Sequence, residues 1–170
     1  CDWSSDVCSS DLKKTKCMVF GTRQRLSHGD NLDITIEHEQ IEKVNTFRYL
    51  GVCFYATMSW TAQVDKKCSQ ISKRLGIAGI RNCLPQETAK MLLQSMILPI
   101  FDYGDVVWST CSSNLNDRLQ RLHNRSGKLI LKYLFRTASI LVRQQLGWTT
   151  IREQQNVHVL VMVYKCLNKL

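Results

Sequence analysis

Five cations recur along one stretch of this sequence: Arg118, Arg121, Arg125, Lys128 and Lys132, at spacings of three, four, three and four. On a helix those spacings place all five on one flank. Leu115, Leu119, Leu122, Leu129 and Tyr133 form an apolar stripe beside them, so the segment has an inward face and a charged flank. An earlier stretch repeats the arrangement, with Lys67, Arg74 and Arg81 seven apart, joined by Lys66 and Lys73. Like charges at i,i+4 repel by about 0.2–0.5 kcal/mol per pair, so a row of five is mildly unfavourable unless something anionic meets it. The phosphates of a nucleic-acid duplex are the natural partner, since each one neutralised releases counterions. The whole chain agrees, with 23 lysines and arginines against 14 aspartates and glutamates, a net charge of +9. The competing reading is a solvated helix face, and two stripes in one chain favour nucleic acid over it. Neither stripe carries the interleaved amides or aromatic platforms of a base reader, so recognition of shape and backbone is expected.

The inventory for catalysis is thin. No Gly-x-Ser-x-Gly nucleophile motif and no phosphate-cradling glycine loop occurs, and His123 and His158 fall in helical patterns as surface or packing residues. The segment Phe-Asp-Tyr-Gly-Asp at 101–105 invites comparison with the paired carboxylates of a polymerase. It follows a helical stretch instead of sitting between strands, so Asp102 and Asp105 are expected at a helix end or turn, with no metal. The 8 cysteines (Cys1, Cys8, Cys17, Cys53, Cys68, Cys83, Cys111 and Cys166) show no Cys-x-x-Cys pair and no zinc-finger spacing. They read as free thiols, mostly buried, in a reducing intracellular compartment, nuclear or cytoplasmic. No stretch approaches the roughly 18 apolar residues of a membrane span, and no signal peptide is recognisable.

The elements that must position these residues fall into an α+β order. Residues 1–12 (CDWSSDVCSSDL) hold a polar near-repeat without helical or strand period and read as an adapter-like leader, set aside from the fold. Residues 13–58 carry β signals: an apolar run at 16–20, strict alternation of Leu32, Ile34 and Ile36, a third candidate around Ile41 and Val44, and a fourth at 47–55 interrupted at Gly51. Small antiparallel hairpins follow from that spacing, with a polar loop between the first two strands. From residue 59 to 170 a mainly helical bundle of about five helices is expected. Val64, Cys68, Ile71, Leu75 and Ala78 mark the first core face. Pro85 opens a second helix with Leu92, Leu93, Met96 and Ile97 inward, and Pro99 ends or kinks it. Ser112 or Ser113 caps a third that runs to about Leu134. Thr137 and then Thr149 or Thr150 cap the last two, separated by Gly147. The nearly continuous apolar run at 157–164 predicts a deeply buried final helix.

Several motifs occur in an order that resembles one family: Lys-Lys-Thr-Lys-Cys-Met-Val-Phe at 13–20, Phe-Arg-Tyr-Leu-Gly-Val at 47–52, and Ser-Trp at 59–60. They continue with Leu-Pro-Ile-Phe-Asp-Tyr-Gly-Asp-Val-Val-Trp at 98–108 and Leu-Gln-Arg-Leu-His-Asn-Arg at 119–125. Together, over residues 13–170, they resemble the C-terminal half of non-LTR (LINE-type) retrotransposon reverse transcriptases. The resemblance implies that Lys14 lies in the palm near the nucleotide phosphates. It also implies that Phe47, Tyr49, Leu50 and Gly51 belong to a primer-grip-like hairpin, and that residues 59–170 are the thumb, with Tyr103 and Trp108 as packing residues. The family's Tyr-x-Asp-Asp motif and its upstream aspartate are absent here. The two Mg2+ of the complete enzyme are therefore not expected on this chain, and phosphoryl transfer has no electrophilic centre.

The expectation is a fragment of an RNA-directed DNA polymerase, inactive alone, that contacts the RNA–DNA primer–template backbone through Lys66, Lys67, Lys73, Arg74, Arg81, Arg118, Arg121, Arg125, Lys128 and Lys132. Its partners would be an RNA–DNA or other duplex and the rest of the reverse transcriptase, with no membrane. The alternatives are a stand-alone helical protein-interaction module and a non-functional decayed fragment, whose incomplete palm sheet would leave the edge at 16–20 unpaired.

Overall fold

A computed structural model describes residues 15–27, 33–36, 38–77 and 85–169. The chain divides into two compact units, Cys1–Trp60 and Thr61–Leu170. That boundary agrees within two residues with the change from β to helical periodicity.

Among the described residues the first unit holds six short strands and one short helix: β1 (Lys16–Cys17), α1 (Arg23–Ser27), β2 (Thr35–Ile36), β3 (Glu39–Gln40), β4 (Glu42–Lys43), β5 (Thr46–Tyr49) and β6 (Val52–Tyr55). They pair two by two: β2 with β3 and β5 with β6 antiparallel, β1 with β4 parallel. The hairpin expectation holds for the two antiparallel pairs. The parallel pair departs from it, and it pairs only the first two residues of the expected edge at 16–20: Lys16 and Cys17 align with Glu42 and Lys43, and the Lys16 ammonium bonds the Glu42 carboxylate, while residues 18–20 lie in no strand. Part of the polar loop after Gly21 forms α1, with Thr22 at its start accepting from the Arg25 amide. β5 and β6 are joined by the two residues Leu50 and Gly51, both at positive φ (45° and 82°), as in a type I′ hairpin turn. That conformation suits Gly51 and strains Leu50. The interruption read at Gly51 is thus the turn itself. Ile41, Val52, Ala56 and Trp60 are the buried apolar residues among those described in this unit, with Phe54 meeting Trp60 edge to face at 5.7 Å.

The second unit is helical: α2 (Thr61–Ile77), α3 (Gln86–Asp102), α4 (Asp105–Trp108), α5 (Ser113–Ile130), α6 (Ser139–Leu146) and α7 (Ile151–Leu167). With α1, the described residues hold seven helices in an α+β arrangement. α5 is central and packs against α2, α3, α6 and α7. Its Leu119, His123, Ser126, Gly127 and Ile130 are buried, which is the i, i+3, i+4 register of an inward face. Val64, Ile71 and Leu75 of α2 and Leu93, Ile97, Ile100 and Phe101 of α3 complete the core with Trp108 and Val142. Leu92, expected inward, is exposed, and Tyr133 and Tyr103 are exposed as well. Ala78 and Leu32 lie outside the described residues.

Helix ends follow local chemistry. Pro85 occupies the N-cap of α3, and Pro99 sits inside its last turn with only three residues of helix beyond it. Gly104 at φ 65° starts α4, and Gly147 at φ 67° closes α6 as a left-handed C-cap. Thr150, one of the two threonines expected to cap the last helix, forms a capping box with Glu153. The α6 N-cap is Ala138 and not Thr137.

The largest departure is α7. Among its residues only Ile151 and Gln155 are buried, and the run expected to be deepest in the core is exposed, Leu160 at 67%. An apolar stretch of that length fits a buried helix by composition, but among the described residues no other element of this unit covers its C-terminal half. The thiols also differ from expectation. Of the described cysteines only Cys111 is buried, Cys17, Cys53 and Cys68 are intermediate, Cys166 is exposed, and none of the five is in a disulfide. Cys1, Cys8 and Cys83 lie outside the described residues. No described helix is long and apolar enough to cross a membrane.

Candidate nucleic-acid interface

α5 presents its cations because the opposite face is needed for the core. Leu119, His123, Ser126 and Ile130 point inward, which leaves Arg121 and Arg125 exposed on the other side. Lys132 follows in the turn beyond the helix, exposed, with φ 55°. The side chains of Arg121, Arg125 and Lys132 have no hydrogen-bond or ion-pair partner among the described residues. The helix rise sets Arg121 and Arg125 about 6 Å apart along the axis.

The remaining two members of the row are partly engaged. The Arg118 guanidinium donates to Asp65 at 2.7 Å, an exposed pair that links α5 to α2. The Lys128 ammonium donates to the Phe135 carbonyl at 2.8 Å and lies 5.4 Å from the centre of that ring. Both remain near the surface, and an exposed pair of this kind is worth at most about 1 kcal/mol, so a phosphate can displace it.

On α2 the cations separate into two groups. Lys66 and Lys73 share one flank, Lys73 exposed and Lys66 half-buried, without partners among the described residues. Arg74 is exposed and donates to the Met96 carbonyl. Lys67 overturns the expectation of a backbone contact. It is 3% exposed, with its ammonium donating to the carbonyls of Ile100 and of Tyr103, the latter at 2.8 Å. Those oxygens belong to the C-terminal end of α3, where the helix dipole favours a cation. The ammonium also lies 4.9 Å from the Trp108 ring centre. Burial pulls the Lys67 amine down to about 8, against the opposing influence of Asp105 and Asp102 and with a smaller push from Lys66 in the same direction. The sequence carried the signal: Lys67 stands three residues after Val64 and four before Ile71, inside the apolar stripe and not beside it.

Asp102 ends α3 and Asp105 begins α4, the helix-end role expected of them. Sequence reasoning missed what they do there. The Gln154 amide donates to Asp102 at 2.6 Å, and His158 Nδ1 meets Asp105 Oδ2 at 2.5 Å. His158 is therefore neither a plain surface residue nor a packing one. Burial is the main reason the Asp102 carboxyl stands above the usual range, with Asp105 adding to it and His158, Lys67 and Gln154 opposing. His123 is a packing residue as expected, 1% exposed, with its ring 4.6 Å from that of Trp148 and edge-on to Phe101. Burial first, and Arg143 second, push its imidazole down to about 4.

In the first unit, Phe47, Tyr49 and Leu50 are exposed on the β5–β6 hairpin. Phe47 and Tyr49 join Phe20 and Phe54 around a shallow apolar cleft with Lys16. Lys14 and Arg81 lie outside the described residues. No protein-family model matches the chain, and neither a curated protein nor a solved structure shows significant similarity to it.

Proposed function

We propose that this chain is the palm-end and thumb portion of a non-LTR retrotransposon reverse transcriptase and that its helical unit contacts the backbone of an RNA–DNA duplex. The observation that carries the reading is the exposed flank of α5, where Arg121 and Arg125 stand, with Lys132 in the turn just beyond the helix, their side chains without partners among the described residues. Arg121 and Arg125 on one flank cost a little repulsion, and with Lys132 beyond the helix end they gain most from a polyanion. Lys66 and Lys73 on α2, Arg118, Lys128 and Arg74 extend the basic set, while Lys67 drops out of it as a buried structural cation. Without the family's metal-binding aspartates the chain would bind duplex and not extend a primer. The exposed hairpin of Phe47, Tyr49, Leu50 and Gly51 is in keeping with a primer-grip role.

A second reading, a protein-interaction module, is favoured by one observation, the exposed apolar half of α7. Salt separates the two. Each neutralised phosphate contributes about 0.9 to the slope of log K against log salt for a B-form duplex. Anisotropy of a labelled RNA–DNA duplex titrated with the chain, from about 50 to about 200 mM salt, should therefore show a steep loss of affinity. Replacing Arg121, Arg125 and Lys132 by alanine should lower that slope by about 2–3. A folded chain that ignores the duplex, or a slope that survives the triple substitution, refutes the reading.

A further inference from the structure

Where α3 ends and α4 begins, three potential metal ligands from three helices meet. One oxygen each from Asp102 and Asp105 and one imidazole nitrogen of His158 all lie within 4.8 Å of one another. Asp105 is 4% exposed, Asp102 and His158 are half-buried, and the Lys67 ammonium lies within electrostatic reach of both carboxylates. Lys67 does not occupy the cluster, however, because its hydrogen bonds go to the carbonyls of Ile100 and Tyr103. Each carboxylate receives a single hydrogen bond from a described residue, Asp102 from Gln154 and Asp105 from His158. An ionised carboxylate has about four acceptor sites, so most of this capacity is unused.

We propose that Asp102, Asp105 and His158 form a binding site for a divalent first-row cation of the Mn2+ or Zn2+ class, which ties α7 to the α3–α4 corner. Two hard oxygens and one borderline imidazole nitrogen are the donor set such ions accept. Ligand atoms around an ion at about 2.1 Å stand roughly 3 Å apart, so side-chain rotations of 1–2 Å close the set. Helix α7 has a use for the clamp. It buries only Ile151 and Gln155, and its polar contacts include Gln154 and His158, one turn apart, bonding Asp102 and Asp105. Lys67 sets the limit: its positive charge weakens the site relative to an all-acidic one. The site is independent of the nucleic-acid reading.

The test is Mn2+ binding to the full chain, followed by loss of the free-ion electron paramagnetic resonance signal. Mn2+ is the probe because the thiols of this cysteine-rich chain are poor ligands for it. One ion per chain is expected, and His158→Gln and Asp105→Asn should each weaken its uptake by at least about tenfold. Mn2+ should also raise the unfolding temperature of the unaltered chain and leave that of His158→Gln unchanged. His158 is half-exposed, so its variant keeps the fold and decides the matter if Asp105→Asn unfolds. Absence of Mn2+ uptake by the unaltered chain overturns the proposal, and so does uptake that folded His158→Gln retains at full strength.

Discussion

Gly127 permits the close approach that seats α6 on α5, and adding one methyl group there tests the packing behind the basic flank. A Cβ at Gly127 would lie 2.7 Å from Val142 Cγ1, 3.1 Å from Leu146 Cδ1 and 3.4 Å from Trp148 Cζ3. Carbon atoms prefer about 3.5–4.0 Å, so the helices must part by close to 1 Å or Val142 must leave its rotamer. Val142 is fully buried and β-branched, and a helical valine has essentially one good rotamer. Overpacking of this kind costs about 1–3 kcal/mol. Against it, alanine in place of glycine inside a helix gains about 0.8–1 kcal/mol. The steric term wins, and Gly127→Ala should lose about 1 kcal/mol, a fall in unfolding temperature of about 4 °C. Gly76→Ala supplies the control on α2, since a Cβ there meets nothing within 4 Å and only the propensity gain remains. Circular dichroism at 222 nm through a thermal ramp reads both variants. Opposite signs are expected. A rise in unfolding temperature for both would mean that α6 does not sit against Gly127, and the account of how α5 is held would fail.

Two further predictions bear on buried ionisable groups. The His123 imidazole, about 4 in the fold against 6.5 when unfolded, leaves the unfolded chain binding the extra proton, so stability is lost as pH falls from 6.5 to 4, by roughly 3 kcal/mol in all. Urea unfolding at several pH values should show that loss, His123→Phe should remove most of it while keeping the contact with Trp148, and an unchanged pH profile in the variant would refute the assignment. Lys67→Ala should cost about 3 kcal/mol in the same assay, by uncovering the α3 carbonyls and two carboxylates, while the variant's duplex binding under conditions where it is folded keeps its salt slope. A stable variant with a reduced slope would return Lys67 to the interface.

The cationic flank of α5 was legible because it depends on spacing alone: a helix converts intervals of three and four into a face, and charges avoid the core. Lys67 was misread for the complementary reason. Its spacing from Val64 and Ile71 placed it on the inward stripe, but whether a buried ammonium is tolerated depends on which acceptors face it. Those acceptors, the carbonyls of Ile100 and Tyr103, come from more than thirty residues away. The polar corner of Asp102, Asp105, Gln154 and His158 was invisible for the same reason, with partners over fifty residues apart.

By itself the sequence determined the α+β order, the boundary near residue 60, an interruption at Gly51, a last helix capped by Thr149 or Thr150 after a break at Gly147, and the basic spacing of α5, all of which are set within a few residues by periodicity, caps and permitted φ. Only the tertiary structure decided which strands pair, that β1 and β4 run parallel, that Lys67 turns inward and that the apolar run of α7 is exposed. Those outcomes depend on which surfaces meet. A helix records in its residues that a face is apolar, but what covers that face depends on the rest of the fold.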